Sequence, residues 1–251
     1  MKNILLTGLS ALILATPCLN AGTLPDAMSL KVRAGYNIGG TAPLGLPATI
    51  RGIDSFRPCA SFMAGADAGF AFKGGFGLQT GLRFENKGMD AGVTTKGYRM
   101  EMRKGDSSIE GLFTGHVSQK VTQWMITLPL QATYGIGAVS LKAGPYVSYL
   151  VGRNFSGIAS DGYIRQGDPT GPKIMIGSKE GEWATYDFSG SVRRLQAGIG
   201  IGADWTLCKD FGLSADLTWG LTGLLKSSFK TVEQTLYPIY GTVGVFYQKL
   251  F

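Results

Sequence analysis

Two consecutive segments with strict two-residue alternation, 195–207 and 211–221, constrain the fold of this chain more than any other feature. In both, every second residue is apolar, and the residues between are glycine or polar. Successive side chains of a β-strand point to opposite faces, so the pair predicts a hairpin that turns at 208–210. A soluble sandwich would carry long polar side chains on its outer face. Glycine with one aspartate per strand suits instead the narrow interior of a barrel whose apolar face contacts lipid.

The composition agrees with a membrane barrel. Charged residues make up 16% of the chain and 38 of its 251 residues are glycine, whereas ordinary globular chains have about 25% charged residues and roughly 7% glycine. After residue 21 no apolar run approaches the ~18 residues that a spanning helix needs, while a barrel strand needs only ~9–11. The net charge of +7 is spread along the chain without a basic run, so nucleic acid is not expected as a partner.

The N-terminus predicts export. Lys2 precedes the apolar run 4–15, and small residues lead to Ala21, which is the order of a secretory signal peptide. We predict a signal peptide over 1–21 and one barrel domain over 22–251, located in the outer membrane of a Gram-negative bacterium. A lipoprotein acylated at Cys18 is a weaker alternative, because Pro17 stands where a small residue normally precedes the modified cysteine.

Six further alternating segments complete an all-β, eight-stranded, antiparallel up-and-down transmembrane β-barrel. The eight predicted strands are 30–38, 60–72, 76–87, 124–134, 139–151, 195–207, 211–221 and 237–251. Tight turns alternate with four predicted loops, at 39–57, 88–119, 152–194 and 222–235, which is typical of outer-membrane barrels with both termini inside. We expect β-bulges at Pro129, Pro145 and Pro238, because a proline in a strand removes a hydrogen-bond donor. Cys59 and Cys208 fall near opposite ends of this barrel, too far apart for a disulfide.

Aromatic residues on the predicted outer face form two belts. At the loop end they are Tyr36, Phe84, Trp124, Tyr149, Trp219 and Tyr237, and at the turn end Phe70, Phe72, Phe76, Tyr134, Trp205, Phe211, Tyr247 and Phe251. Aromatic rings are favoured at both bilayer interfaces, and a soluble lipocalin-like calyx should not show two outward belts. The terminal Phe251 also resembles the signal read by the barrel-insertion machinery.

The predicted interior carries a nearly balanced set of charges. It comprises Lys31, Arg33, Asp67, Arg83, Glu85, Lys87, Lys142, Asp204 and Asp216. An eight-stranded barrel is only wide enough for side chains to fill, so these groups are expected to form a charge-paired plug. A narrow channel or a small-ligand transporter is the alternative, in which the same groups line an ion or ligand path.

Three short motifs resemble the PorT-like outer-membrane β-barrel family. They are Asn86-Lys87-Gly88, Thr127-Leu128-Pro129-Leu130 and Lys142-Ala143-Gly144-Pro145-Tyr146, in that order over the middle and C-terminal two thirds of the chain. The resemblance implies an eight-stranded barrel in the outer membrane. Members are mostly uncharacterised, and one is associated with a secretion system, so the resemblance implies fold and location more than activity.

An enzyme is the other alternative. His116 and Ser118 share one face of a predicted strand and are similar to the His-x-Ser pair of a lipid A deacylase, in which histidine activates a serine nucleophile. An orienting carboxylate is expected on the same strand, but no Asp or Glu occurs from 111 to 152. We therefore predict a non-enzymatic barrel without metal or cofactor. Its expected partners are outer-membrane lipid, the insertion machinery, and an envelope or secretion-system protein bound by the long loops or by the periplasmic rim.

Overall fold

The computed structural model describes residues 27–229, 231 and 234–251, and the predicted signal peptide at 1–21 lies outside them. It contains eleven strands in the described residues. They are β1 (Ala27–Pro43), β2 (Ile50–Pro58), β3 (Phe62–Ala71), β4 (Phe76–Lys104), β5 (Ser107–Ile136), β6 (Val139–Gln166), β7 (Lys173–Ile176), β8 (Ala184–Asp187), β9 (Leu195–Thr206), β10 (Phe211–Gly220) and β11 (Leu236–Leu250). No helix in these ranges is long and apolar enough to cross a membrane.

Eight strands close into a ring and confirm the predicted barrel. Their order is β1-β3-β4-β5-β6-β9-β10-β11, and β11 pairs with β1 from Ser29↔Leu250 to Pro43↔Leu236. Every pairing in the ring is antiparallel. The turn from β3 to β4 is a single 3₁₀ turn, Lys73–Gly75, in which Gly74 has φ 79°, a conformation that favours glycine. This end of the ring is called the turn end, and the opposite end the loop end.

The wall of the ring has an apolar outside and a polar inside. Along β10, Leu213 and Leu217 are exposed on the outer face, while Ser214 and Asp216 are buried within. The same alternation runs along β1, where Lys31 and Arg33 are buried. The interior of the ring is therefore mainly polar, with a few buried apolar side chains such as Met63 and Phe246.

Three of the four predicted loops are wrong, because they contain β-structure. β4, β5 and β6 have 29, 30 and 28 residues, far more than the ~9–11 that cross a bilayer. Beyond the ring, β4 and β5 stay paired from Met89↔Val121 to Lys104↔Ser107. β2 pairs with β4, β7 with β6, and β8 with both β4 and β6. We call residues 50–58, 88–123, 152–166 and 173–187 the extension.

The hydrophobic core of the protein lies in the extension. Inward side chains along β4 change from Arg83, Glu85 and Lys87 to Met89 and Ala91. From β5, Phe113, Val117 and Val121 are almost fully buried, and Phe155, Tyr186 and Phe188 pack against one another and complete the cluster. The extension is therefore built like a soluble β-protein, with its apolar face inside. The fourth predicted loop, 222–235, contains no named strand in its described residues, only one bridge from Val192 to Leu225.

The predicted bulges at the three prolines are also wrong. The register is unchanged from Thr80↔Leu130 to Arg83↔Thr127 on one side of Pro129. Pro145 pairs with Ile199, and Pro238 with Thr41, in unbroken ladders. The Thr80 hydroxyl donates to the carbonyl of Pro129 at 2.8 Å. A missing N–H is thus tolerated by local loss of a ladder bond, without an inserted residue. Register shifts occur instead at Thr114/His116 and Trp124/Met125.

Candidate functional site

Asp204, from β9, is the centre of an ion-pair network that fills the ring. It accepts hydrogen bonds from Lys31 at 2.8 Å, from Arg33 at 3.2 Å and from Lys142 at 2.5 Å. The Nζ of Lys142 also donates to Asp216 at 3.0 Å. All of these side chains are buried, so each charge depends on its partners for the stabilisation that water would otherwise give.

A second carboxylate, Asp67 from β3, completes the network. Its Oδ2 lies 2.7 Å from Nε of Arg33, and it accepts from Arg83 at 2.9 Å and from Gln79 at 3.0 Å. Glycine makes the space: a Cβ on Gly81 would lie 2.2 Å from Asp67 Oδ1. Inward glycines are therefore required where long ionic side chains cross the ring.

The network becomes less charged toward the loop end. Lys87 pairs with Glu85 at 2.7 Å, and its ammonium lies 5.5 Å from the ring centre of Tyr240. Neutral pairs follow. They are Thr242 to Asn37 at 2.6 Å, Thr127 with Ser148 at 2.8 Å, and Gln196 to Gln123 at 2.8 Å. The structure places all nine predicted interior charges inside the ring. The set of interior residues predicted from the sequence contained only charged side chains, although these amides and hydroxyls occupy the same inward alternation.

The filled ring separates two cavities. One of about 320 Å³ lies at the turn end and is bordered by Lys31, Gln79 and Asp204. Another of about 280 Å³ lies at the loop end, inside the extension, and its walls are mainly apolar. Between them stand the ion pairs, and Arg33 and Asp67 have no exposed side-chain surface. Buried ion pairs therefore occupy the ring between the two cavities.

The family model described as "Outer membrane protein beta-barrel domain" matches residues 23–226 of this chain. The chain belongs to this outer-membrane barrel family. Family membership agrees with the closed ring and gives its apolar outer face a physical reason, since that face contacts lipid. The long loops of outer-membrane barrels lie on the extracellular side, which is the side expected for the extension.

Three solved structures resemble the barrel at low identity. Neisserial surface protein A (NspA) is 11% identical, with TM-score 0.38 over 88% of this chain and 96% of that chain. The attachment invasion locus protein Ail of Yersinia pestis is 10% identical, with TM-score 0.36 over 90% and 100%. The outer membrane protein OprG from Pseudomonas aeruginosa is 12% identical, with TM-score 0.36 over 89% and 96%. Likenesses at this level bear on nothing beyond the general fold. No curated protein matches the chain in sequence.

The outer-membrane barrel exposes aromatic side chains at both ends of its ring. At the loop end, Phe62, Phe84 and Trp124 form one cluster with ring centres 5.5–6.2 Å apart. At the turn end, Phe76 contacts Tyr134 at 4.9 Å and Phe211 contacts Tyr247 at 5.0 Å. The remaining predicted belt residues are exposed or half-buried: Tyr36, Tyr149, Trp219, Tyr237, Phe70, Phe72, Trp205 and Phe251. Phe62 also belongs to the loop-end belt. The sequence pattern predicted that it lies on the outer face but did not assign it to a belt.

His116 lies on the outer face of the extension and has a carboxylate partner that the sequence did not predict. Its Nδ1 is 3.0 Å from Oδ2 of Asp54, which also accepts from Thr94 at 3.0 Å. The expected carboxylate on the same strand is thus replaced by one from β2. Within the described ranges, the Ser118 hydroxyl makes no hydrogen bond to His116. The enzyme alternative requires that bond between its serine nucleophile and its histidine base. Cys59 and Cys208 are both free thiols, and the described residues hold no cluster of metal-ligating side chains.

Proposed function

We propose that this outer-membrane barrel is a non-conducting, non-enzymatic interaction protein whose extension binds a protein partner at the cell surface. The observation that carries the proposal is the extension itself, in which three wall strands continue as one folded unit around a buried apolar core. Binding surfaces tend to lie on segments that a rigid scaffold positions. Here the ring is the anchor and the extension is the part that reaches a partner.

An exposed strand edge in the extension supports binding to a protein. β7 pairs with β6 through Gly162↔Ile176 to Arg165↔Lys173, and in the described residues it has no second strand partner, although the Lys104 side chain donates to the Met175 carbonyl at 2.8 Å. Met175, on this strand, is 61% exposed. Unpaired strand edges are templates for added strands from other chains.

The PorT-like resemblance gives the finer form of the proposal, a secretion-associated barrel. Its three motifs lie in β4, β5 and β6, the strands that continue into the extension. We also propose that Phe251 serves as the insertion signal. Phe251 is 72% exposed, and its N–H donates to the Met28 carbonyl at 2.8 Å, which joins it to the first strand.

The proposal is tested by photocrosslinking in native membranes. A photoreactive residue at Met175 should capture a defined protein, and the same residue at Lys209, in the turn at the opposite end, should not capture that protein. Absence of any Met175-dependent product would contradict the proposal. Steady conductance in planar bilayers would favour the channel alternative. Loss of a lipid-modifying activity in both His116→Ala and Ser118→Ala would favour the enzyme, for which the His116–Asp54 pair is the supporting observation.

A further inference from the structure

The loop-end cavity lies behind a seam in the barrel wall. β1 and β3 are paired only as far as Tyr36↔Phe62. Above that point β1 pairs with β11 alone, through Gly40↔Ile239, while the chain before β3 has become β2 and pairs with β4. In the part of the chain that the structure describes, the facing edges of β1 and β2 are joined by no strand ladder. The cavity lies along this seam.

The base of the seam is closed by close packing. The backbone N–H of Thr41 lies 3.0 Å from the sulfur of Met89. Gly40 leaves room for this contact, since a Cβ there would lie 2.9 Å from the ring of Phe56 and 3.0 Å from the Met89 sulfur. Below this point the ring is filled by ion pairs, so a molecule in the cavity must enter and leave through the seam or the extension.

The seam begins at the outer bilayer interface. Ile239, which borders the cavity, pairs with Gly40 on one side and with Trp219 on the other. Trp219 belongs to the loop-end aromatic belt, and aromatic belts mark the interface. The mouth of the cavity is therefore level with the outer leaflet or just above it.

The mouth and floor of the cavity are apolar. Leu46, Ile53 and Phe56 border the cavity and are 61%, 58% and 52% exposed. Met89 and Val117 line it from the interior and are buried. Apolar cavities stay dry and bind apolar groups. A volume of about 280 Å³ is just below the ~300–1,000 Å³ of ligand pockets, so it suits one hydrocarbon chain and not a whole lipid.

Two arginines lie on the strand that borders the mouth, and the one carboxylate of that strand, Asp54, lies 3.0 Å from His116 Nδ1. Arg51 and Arg57 are exposed on β2, the strand that also carries Ile53 and Phe56. We infer that the seam between β1 and β2 binds an anionic lipid of the outer leaflet, with one acyl chain in the cavity and the headgroup at these arginines. This lipid site goes beyond the proposed protein partner and uses a different face of the extension.

The test uses the full-length barrel in vesicles that contain phosphatidylglycerol with a diazirine on one acyl chain. Crosslinks should form at Met89 and Val117, besides those at lipid-facing residues of β10, which serve as the internal standard. Ala91→Phe places a ring in the cavity, and Ile53→Asp adds a charge at its exposed mouth. In each, cavity crosslinks relative to β10 crosslinks should fall about ten-fold, because loss of contact with a few methylene groups already has that effect.

Met175→Asp, on an exposed part of the extension away from the seam, is the matched control and should leave the ratio unchanged. Heat-modifiable gel migration verifies that each variant is folded, and Ile53→Asp keeps the test valid if Ala91→Phe does not fold. Absence of cavity crosslinks in the native barrel, or an unchanged ratio in folded Ile53→Asp, would overturn the lipid site. Equal labelling from phosphatidylcholine vesicles would overturn the choice of an anionic lipid. Neither result bears on the protein partner proposed to bind near Met175, so either proposal can be wrong without the other.

Discussion

Asp204→Asn is expected to lower the free energy of unfolding of the barrel by about 3–5 kcal/mol. The substitution keeps the shape of the side chain and removes the charge that Lys31, Arg33 and Lys142 share. Removing one partner of a buried ion pair costs about 3–5 kcal/mol, because the remaining charges stay buried without compensation. A urea titration of folding into lipid vesicles, followed by tryptophan fluorescence, measures the change.

Asp106→Asn is the matched control for this prediction. Asp106 is exposed at the tip of the β4–β5 hairpin, where substitutions usually change stability by no more than ~0.5 kcal/mol. Adding Lys31→Met to Asp204→Asn removes the cation whose ion pair among the described residues is with Asp204 alone, and should recover part of the loss. A cost for Asp204→Asn that equals the control, with native gel migration, would show that the interior charges are not held by pairing.

Leu217→Arg is expected to destabilise the barrel by ~2–4 kcal/mol, the cost of an arginine on the lipid face at the bilayer midplane. Leu217 lies in the middle of β10 and is 48% exposed on the outer face of the ring. The guanidinium there would leave water for hydrocarbon, and neighbouring outward residues Ala215 and Trp219 offer no carboxylate. The same refolding titration measures the loss.

Two further substitutions provide the controls, one at a different depth in the bilayer and one on the inner face of the ring. Leu207 is 51% exposed at the turn end, and Leu207→Arg should cost only ~0–1 kcal/mol, because an arginine near the interface reaches water. Thr218→Arg points to the interior, where the hydroxyl of Thr218 donates to the Tyr240 carbonyl at 3.1 Å, and it should act through crowding. Equal costs at Leu217 and Leu207 would contradict the assignment of β10 as a membrane-spanning strand.

The ring could be predicted from the sequence because one physical condition acts along all of it. Lipid outside requires an apolar residue at every second position, so segments such as 195–207 and 211–221 have a uniform pattern. The same pattern fixes which residues point inward. Alternation alone therefore assigns Lys31, Asp67 and Asp204 to the interior.

The pairing of these interior charges could not be predicted. Lys31 meets Asp204 across 173 residues of sequence, and only closure of β1 on β11 and the packing of side chains across the ring bring them together. Alternation decides whether a side chain points into or out of the ring. Which inward side chains contact one another depends on the shape of the whole ring. Asp54 and His116 show the same limit, since their contact requires β2 to lie beside β4.

The extension was missed because its polarity is reversed. Outside the membrane, water replaces lipid at the outer face, so the apolar residues Phe113, Val117 and Val121 turn inward while His116 and Lys120 face solvent. The outward positions of β4 therefore stop being apolar after residue 84. The inward register is continuous from Lys87 to Met89, and a search for alternation of either sign would have found it.

The placement of the ring in the bilayer and of the extension outside it is tested most directly by the four native tryptophans. Trp124 and Trp219 lie in the loop-end belt, Trp205 lies in the turn-end belt, and Trp183 directly precedes β8 in the extension. Variants that each keep one tryptophan, with phenylalanine at the other three positions, are refolded into vesicles of lipids brominated near the headgroup. We predict strong fluorescence quenching of Trp124, Trp205 and Trp219 and little quenching of Trp183. Quenching of Trp183 as strong as that of Trp219, or no quenching of Trp205 and Trp219, would contradict this placement.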